Sequence, residues 1–171
     1  MKKLLHITSK GEGYQADILL DDFPTDPARK DSVFFVGDMD NDVDATPFWE
    51  QDPCGQNDTA LHYNGKPIDG SKVPGIVLPP ECIDAVKQQV LGCKATATYR
   101  GKTEPCVVFD IGPHNKLGEG NPALMSRLNI PWTKNGNGGV DEQEVTYRYW
   151  PGVPAVVDGV KYQLQTHHHH S

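Results

Sequence analysis

The stretch VVFDIGPHNKLGEG, residues 107–120, ends an apolar run on one acid and places a second acid nine residues further along. The β-branched and aromatic residues at 107–109 predict a buried strand, and the Gly-Pro pair at 112–113 predicts the turn that ends it. Asp110 therefore lies at a strand end, and Glu119 follows the turn. Two interpretations stay open: Asp110 caps the turn while Glu119 is a solvated loop acid, or the two carboxylates form a catalytic pair.

Length and composition indicate one β-rich domain. The chain has 171 residues, and the HHHHS at 167–171 is typical of an expression tag, so we expect a single catalytic domain over residues 1–166. Hydrophobic residues make up 37% and charged residues 23%, as in ordinary globular domains. The 17 glycines and 14 prolines favour many turns and short strands, so we expect a mainly β fold with two or three short helices.

Charge and hydropathy exclude several classes of partner. The formal net charge of −7 repels a nucleic-acid backbone and favours a cationic partner. No apolar run approaches the roughly 20 residues that a membrane-spanning helix needs, so we expect no membrane partner. The N-terminal segment MKKLLHITSKGEG has too short an apolar core for a signal peptide, and the location stays open.

The cysteines do not predict a metal centre. Cys54, Cys82, Cys93 and Cys106 lie far apart, with no pair at zinc-site spacing and no neighbouring histidine cluster. We therefore expect no metal and no cofactor. Two disulfides or none both fit, although Cys93 and Cys106 are not opposite one another in the simplest hairpin register.

Residue patterns predict hairpins and two short helices. One helix is expected within residues 79–93, and a second begins at Asn121, a good N-cap, with Pro122 at its first position. The glycine- and asparagine-rich segment 48–75 is either a long loop or a set of short strands between loops, and such loops usually serve function. Strands are predicted within residues 3–23, 32–44, 94–110, 144–150 and 155–164.

An acidic ladder follows the second predicted hairpin strand. Four aspartates recur at every second position: Asp38, Asp40, Asp42 and Asp44. On an extended strand this period places them on one face, where they form a negative stripe. The stripe is either solvated surface, a calcium loop, or a groove for a polycation. The calcium loop fits poorly, because Val43 and Trp49 stand where its glycine and glutamate belong.

Trp49 directly follows this ladder. Sugar rings stack on tryptophan through their apolar faces, so an acidic stripe beside a tryptophan suits an amino-sugar polymer. Core packing is the alternative role for each tryptophan taken separately.

Four segments of the chain share a recognisable pattern: DMDNDVDA (38–45), NDTAL (57–61), VPGIVLPP (73–80) and DIGPHNKLGEGNPALMSRLNI (110–130). In the same order, they resemble the acidic strand, the threonine segment, the V-P-x-x-V-x-P strand and the D-x-G-P turn with its G-E pair of glycoside hydrolase family 75, the chitosanases known mainly from fungi. The resemblance implies an endo-acting, inverting hydrolase of β-1,4-linked glucosamine polymers, secreted and built on a six-stranded double-psi β-barrel. It places the essential carboxylates on Asp110 and Glu119.

The chemistry of an inverting hydrolase suggests roles for individual residues, and the order of acid and base stays open. Inverting hydrolysis needs one protonated and one ionised carboxyl, roughly 6.5–9.5 Å apart. We assign Glu119 as the general acid and Asp110 as the general base. Lys116 can pair with either acid, and Asp58 and Thr59 are candidate contacts to the sugar. We expect a monomer that binds a cationic amino-sugar polysaccharide.

Two other functions remain open at this point. The chain can be a non-catalytic carbohydrate-binding or cell-wall module in which Asp110 only fixes its loop. It can also be an enzyme that acts on peptidoglycan, since the same acid chemistry cleaves between those amino sugars. Fold-level kinship does not choose among these functions.

Overall fold

A computed structural model describes residues 1–166, and the tag predicted at 167–171 lies outside the described residues. Residues 1–166 form twelve strands and two short α-helices, with single 3₁₀ turns at Pro27–Arg29 and Trp49–Gln51. The helices are α1 (Pro80–Asp84) and α2 (Pro122–Arg127). The strands are β1 (Lys2–Thr8), β2 (Gln15–Asp21), β3 (Ser32–Asn41), β4 (His62–Tyr63), β5 (Lys66–Pro67), β6 (Gly75–Leu78), β7 (Cys93–Tyr99), β8 (Lys102–Ile111), β9 (Glu119–Gly120), β10 (Gly139–Pro154), β11 (Val156–Val157) and β12 (Val160–Lys161).

Six of these strands close into a barrel. Their order around it is β3, β10, β7, β8, β6 and β9, and β9 pairs back with β3 to complete the circle. The pairs β3–β9 and β6–β8 are parallel, and the others are antiparallel. The β1–β2 hairpin adds to the edge of β3. The fold class predicted from the sequence, a β-rich six-stranded barrel, is confirmed.

The barrel interior is filled by alternate side chains of its strands, as the period of two requires. Phe35 of β3 stacks on Tyr147 of β10 with ring centroids 4.9 Å apart, and both residues are buried. A second apolar cluster contains Phe109 together with side chains of segment 60–73, among them Leu61 and Ile68. Because Phe109 is buried there, the next residue, Asp110, points to the opposite face of β8.

Most predicted local elements are confirmed. The hairpin β7–β8 turns at Arg100 and Gly101, and β11–β12 turns at Asp158 and Gly159. Segment 48–75 contains the short hairpin β4–β5 rather than one continuous loop. The first helix is shorter than predicted: it ends at Asp84, and further along the Gly92 amide donates to the Val108 carbonyl of the barrel.

The predicted N-cap of α2, Asn121, is confirmed, and its side chain also bonds to the backbone at the start of β6. The buried Asn121 Oδ1 accepts hydrogen bonds from the backbone N–H groups of Leu124 (3.1 Å) and Gly75 (3.0 Å). Its Nδ2 donates to the Val73 carbonyl at 2.7 Å. One side chain thus fixes α2 and the start of β6, the strand that lies between the two predicted catalytic acids.

Two further sequence expectations concern sulfur chemistry and membranes. All four cysteines are free, and Cys106 pairs in register with Ala95 rather than with Cys93. Within residues 1–166, neither helix has the length and apolar character needed to cross a bilayer.

Candidate active site

Strand β6 stands between the two predicted catalytic acids. Val77 of β6 pairs in register with Asp110 of β8 on one side and with Glu119 of β9 on the other. Directly paired residues present their side chains on the same face of a sheet. Neighbouring strands lie about 4.8 Å apart, so two spacings place the Cα atoms of Asp110 and Glu119 about 9.5 Å apart. The two acids face a common space across one strand.

That space is a cleft of about 1230 Å³. Its lining includes Val77, both predicted catalytic acids and the Gly112–Pro113 turn that the sequence placed between them. Lys116 is the one basic residue of the lining among the described residues. The acidic residues that line the cleft are Asp40, Asp42, Asp44, Asp52, Asp58, Asp110, Glu119 and Asp141. The cleft is therefore strongly negative.

Asp110 is held in place by backbone donors. Its Oδ1 accepts hydrogen bonds from the N–H groups of Ala60 (2.9 Å) and Ile111 (3.0 Å). Burial nevertheless raises the pKa of Asp110 to about 7, and the negative charges of Asp44 and Asp58 act in the same direction, while the two backbone donors oppose the rise. Both hydrogen bonds go to Oδ1, and neither involves Oδ2.

Glu119 lies deeper and has a cation beside it. Its Oε1 is 3.8 Å from Lys116 Nζ, which also lies 3.4 Å from Asp40 Oδ2. Burial raises the pKa of Glu119 to about 7; Lys116 opposes this rise, and the charges of Asp40 and Asp110 add to it. Gly112 passes close by, since a Cβ on that residue would lie only 2.8 Å from Glu119 Oε2. Glycine at position 112 thus leaves room for the Glu119 carboxyl.

Two aspartates of the ladder complete a group of acids around Asp110. Carboxylate oxygens of Asp42, Asp44 and Asp110 all lie within 4.8 Å of one another. Asp42 Oδ1 accepts a hydrogen bond from the Asp44 backbone N–H at 2.8 Å, and Asp44 Oδ1 accepts one from Gln56. Burial is the main reason that the pKa values of Asp42 and Asp44 rise to about 7. This group can hold a cationic group of a ligand or a metal ion.

The ladder does not form the single stripe that its period predicts. β3 ends at Asn41, and Ala45 adopts a left-handed backbone with φ of 55°, so Asp42 and Asp44 lie in a turn rather than on a strand. Asp40 lines the cleft as predicted. Asp38 is fully buried and absent from the cleft lining, because its side chain points to Tyr14, whose hydroxyl donates to Asp38 Oδ1 at 2.7 Å.

The other residues predicted to contact the substrate, Lys116, Asp58 and Thr59, differ in their position and exposure. Lys116 contacts Glu119 and Asp40, and not Asp110. Asp58 and Thr59 line the cleft, but Thr59 is buried and its hydroxyl donates to the Leu61 carbonyl at 3.2 Å. The Asp58 carboxylate is exposed and bonds to His62 Nε2 at 2.7 Å. Asp58 is thus the more accessible of this pair.

The predicted role of Trp49 in sugar stacking is not supported. Trp49 begins a 3₁₀ turn and does not line the cleft, since the chain has already turned away from the strand at Ala45. The other tryptophans in the described chain also lie outside the cleft lining. Trp132 stacks on Phe48 with centroids 5.6 Å apart, and the Trp150 ring nitrogen donates to the Ala28 carbonyl.

One wall of the cleft was missed by the sequence analysis. Residues 136–139 and Asp141 line it, although the glycine-rich segment suggested only a flexible break. Asn41 holds this wall in place, because its Nδ2 donates to the carbonyls of Thr133 (2.9 Å) and Asn137 (3.0 Å). The contact joins residues more than 90 positions apart, so no local pattern indicates it.

Comparison with known proteins adds little to this geometry. No protein-family model and no curated protein matches the chain. Among solved structures, the chain is similar to the Streptomyces papain inhibitor (SPI) with 17% sequence identity and a TM-score of 0.43, over 68% of this chain and 93% of that chain. At these values the similarity supports no inference about function.

Proposed function

We propose that this protein is an endo-acting, inverting glycoside hydrolase of β-1,4-linked glucosamine polymers, as its resemblance to the family 75 chitosanases implies. The observation that supports the proposal most directly is the pairing of Asp110 and Glu119 with the same residue of β6, from opposite sides and on the face of one acidic cleft. The alternative, in which Asp110 only caps a turn and Glu119 is a solvated loop acid, does not require the two residues to pair with the same residue of β6.

The spacing of the pair suits inversion. Two carboxyl groups roughly 6.5–9.5 Å apart leave room for a water molecule between one of them and the sugar ring. A Cα separation of about 9.5 Å with both side chains on one face is compatible with that range. The strand between the acids is apolar at Val77, so it offers no competing charge.

The environment of each acid supports its role. Asp110 accepts two backbone hydrogen bonds, which favour its ionised form, so it acts as the base that removes a proton from water. Among residues 1–166, no backbone N–H donates to the Glu119 carboxylate, and burial raises its pKa to about 7 although Lys116 opposes the rise, so Glu119 can hold a proton near neutral pH and give it to the leaving oxygen. Because both pKa values lie near 7, the active form of the pair carries one proton in total, on Glu119, while Asp110 is ionised.

The charge of the cleft indicates the substrate. Eight acids against one lysine attract a polycation, and the protonated amine of a bound glucosamine unit favours the ionised form of acids whose pKa values burial raises to about 7. Asp42 and Asp44 lie beside Asp110, where they can contact the amine of a bound unit. An acetylated polymer lacks that charge, so we expect weaker binding and a smaller dependence on salt.

The proposal is tested by measuring release of reducing ends from fully deacetylated chitosan. We expect turnover by the wild type and a loss of about 10²–10⁴-fold in Asp110→Asn and in Glu119→Gln, because general acid–base catalysis contributes factors of that size. Asp31→Asn is the matched control, since Asp31 is exposed and lies on the β2–β3 turn.

Three results would contradict the proposal. Wild-type protein that binds chitosan without turnover would be a carbohydrate-binding module. Turnover of purified bacterial sacculi with none of chitosan would identify a peptidoglycan hydrolase. Undiminished turnover in both carboxyl variants would place the chemistry on other residues.

A further inference from the structure

A second group of carboxylates shares Asp40 with the cleft and extends from it to the β1–β2 turn. The β1–β2 turn, in which Gly11 and Gly13 have positive φ, places Glu12 against β3. Carboxylate oxygens of Glu12, Asp38 and Asp40 all lie within 4.8 Å of one another. Glu12 and Asp40 are partly exposed, and Asp38 forms the buried floor of the group.

Asp38, the buried floor of this group, has one carboxylate oxygen that accepts no hydrogen bond from residues 1–166. Asp38 is fully buried, and its Oδ1 accepts the Tyr14 hydroxyl. Among residues 1–166, no N–H or O–H group donates to its Oδ2. A hydrogen bond between the Glu12 and Asp38 carboxyls needs a proton on one of them, because two ionised carboxylates offer only acceptors. A buried carboxylate oxygen without a donor costs free energy unless a proton or a cation binds to it.

Among residues 1–166, the basic side chain beside this group does not neutralise its negative charge. Lys116 Nζ lies 3.4 Å from Asp40 Oδ2, and it also serves Glu119 on the cleft side. One ammonium group beside three carboxylates leaves an excess of negative charge. The Tyr14 hydroxyl is neutral, and burial raises its pKa further.

We propose that Glu12, Asp38 and Asp40 bind a divalent cation of the oxygen-preferring kind, Ca²⁺ being the best fit. Ca²⁺ takes oxygen ligands at 2.3–2.6 Å, so ligands on opposite sides of the ion stand about 5 Å apart, which matches the spread of this group. Mg²⁺ requires about 2.1 Å and near-octahedral order, and three side chains from a turn and a strand do not supply it. Water completes the shell on the exposed side.

Such an ion would join the β1–β2 turn to the barrel. Glu12 comes from the turn, whereas Asp38 and Asp40 come from β3, the strand that also pairs with β9. The site therefore ties the hairpin to the strand that positions Glu119. This inference does not depend on the proposed glycoside hydrolase activity.

Calorimetric titration of the metal-free, untagged chain with CaCl₂ at pH 8 tests the site, because the carboxyls are then ionised. With only three protein carboxylates we expect a Kd of about 10⁻⁴–10⁻³ M. At a Ca²⁺ concentration of about 100 Kd, we expect the melting temperature to rise by roughly 5–10 °C. Glu12→Gln and Asp38→Asn should each weaken binding at least about tenfold.

Asp110→Asn provides the control that distinguishes this site from the acids of the cleft. It removes one member of the Asp42–Asp44–Asp110 group and leaves Glu12, Asp38 and Asp40 intact, so we expect its affinity for Ca²⁺ to be unchanged. Tb³⁺ provides a second readout: bound beside Tyr14, it should luminesce on tyrosine excitation, and Glu12→Gln should reduce that signal.

Two outcomes would overturn the proposal. The first is no heat and no change in melting temperature at Ca²⁺ concentrations up to about 10 mM, well above the expected Kd; Asp38 would then be satisfied by a proton. The second is binding that Asp110→Asn abolishes and Glu12→Gln leaves intact, which would place the ion in the cleft. Because Glu12 is on a surface turn, its variant should fold even if Asp38→Asn does not.

Discussion

The crowding of acids in the cleft predicts that the protein loses stability as pH rises from about 4 to about 8. Burial and mutual repulsion raise the pKa values of Asp42, Asp44, Asp110 and Glu119 to about 7 in the folded protein. In the unfolded chain the same groups have ordinary values near 4. Between these values the folded state binds more protons, so the stability that is fully present below about pH 4 is lost as pH rises through the folded pKa.

Asp42→Asn isolates this effect at one position. Raising the pKa of one carboxyl from 3.8 to about 7 corresponds to about 4 kcal/mol at a pH above both values. The amide has the same shape, and its oxygen can still accept the hydrogen bond from the Asp44 N–H. We therefore expect Asp42→Asn to raise the free energy of unfolding by about 2–4 kcal/mol at pH 8, and by less than about 0.5 kcal/mol at pH 4.

Urea unfolding in the presence of EDTA, at pH 4 and at pH 8, measures this difference. Asp31→Asn is again the control, because its carboxylate is exposed and should give no pH-dependent difference. A variant at position 42 that is less stable than the wild type at pH 8 would refute the argument. It would mean that the ionised Asp42 carboxylate contributes to stability rather than opposing it.

Three further predictions concern single contacts. Asn121→Ala should lower the free energy of unfolding by about 2–4 kcal/mol in urea denaturation, because it removes the N-cap of α2 and leaves the buried Gly75 N–H without an acceptor; an effect below about 1 kcal/mol would contradict this. Lys116→Met should move the alkaline limb of the pH–activity profile to higher pH, because Lys116 lowers the pKa of Glu119 and the general acid must stay protonated. A shift of the acidic limb instead would mean that Glu119 is the general base and Asp110 the general acid. Gly112→Ala should reduce kcat by about 10–100-fold with a smaller effect on KM, since the new methyl group displaces the Glu119 carboxyl; unchanged kcat would show that the carboxyl moves without consequence.

Local features of the fold could be predicted because each has a local cause. Asp110 follows three apolar strand residues and precedes a Gly-Pro turn, and it lies at the end of β8. Asn121 followed by proline predicted the start of α2, where both residues are found. The hairpin turn at Arg100 and Gly101 was equally visible.

Long-range features could not be predicted from pattern alone. The parallel pairing of β9 with β3 closes the barrel between residues about 80 positions apart, and no short motif encodes it. The ladder prediction assumed that the strand continues, whereas β3 ends at Asn41 and the backbone turns at Ala45, and Trp49 lies outside the cleft lining. The sequence did not indicate that Glu12 lies beside Asp38 and Asp40, because these residues are far apart in the chain and come together only when β1, β2 and β3 pair.

The central claim is that Asp110 and Glu119 hydrolyse a glucosamine polymer from opposite sides of the bond. Proton NMR of a fresh digest of glucosamine hexamer tests it most directly, because it reports the anomeric configuration of the first products before they equilibrate. The account predicts products with the α configuration from a β-linked substrate, and about 10²–10⁴-fold slower product formation by Glu119→Gln. Products with the β configuration, or no hydrolysis by the wild type, would contradict it.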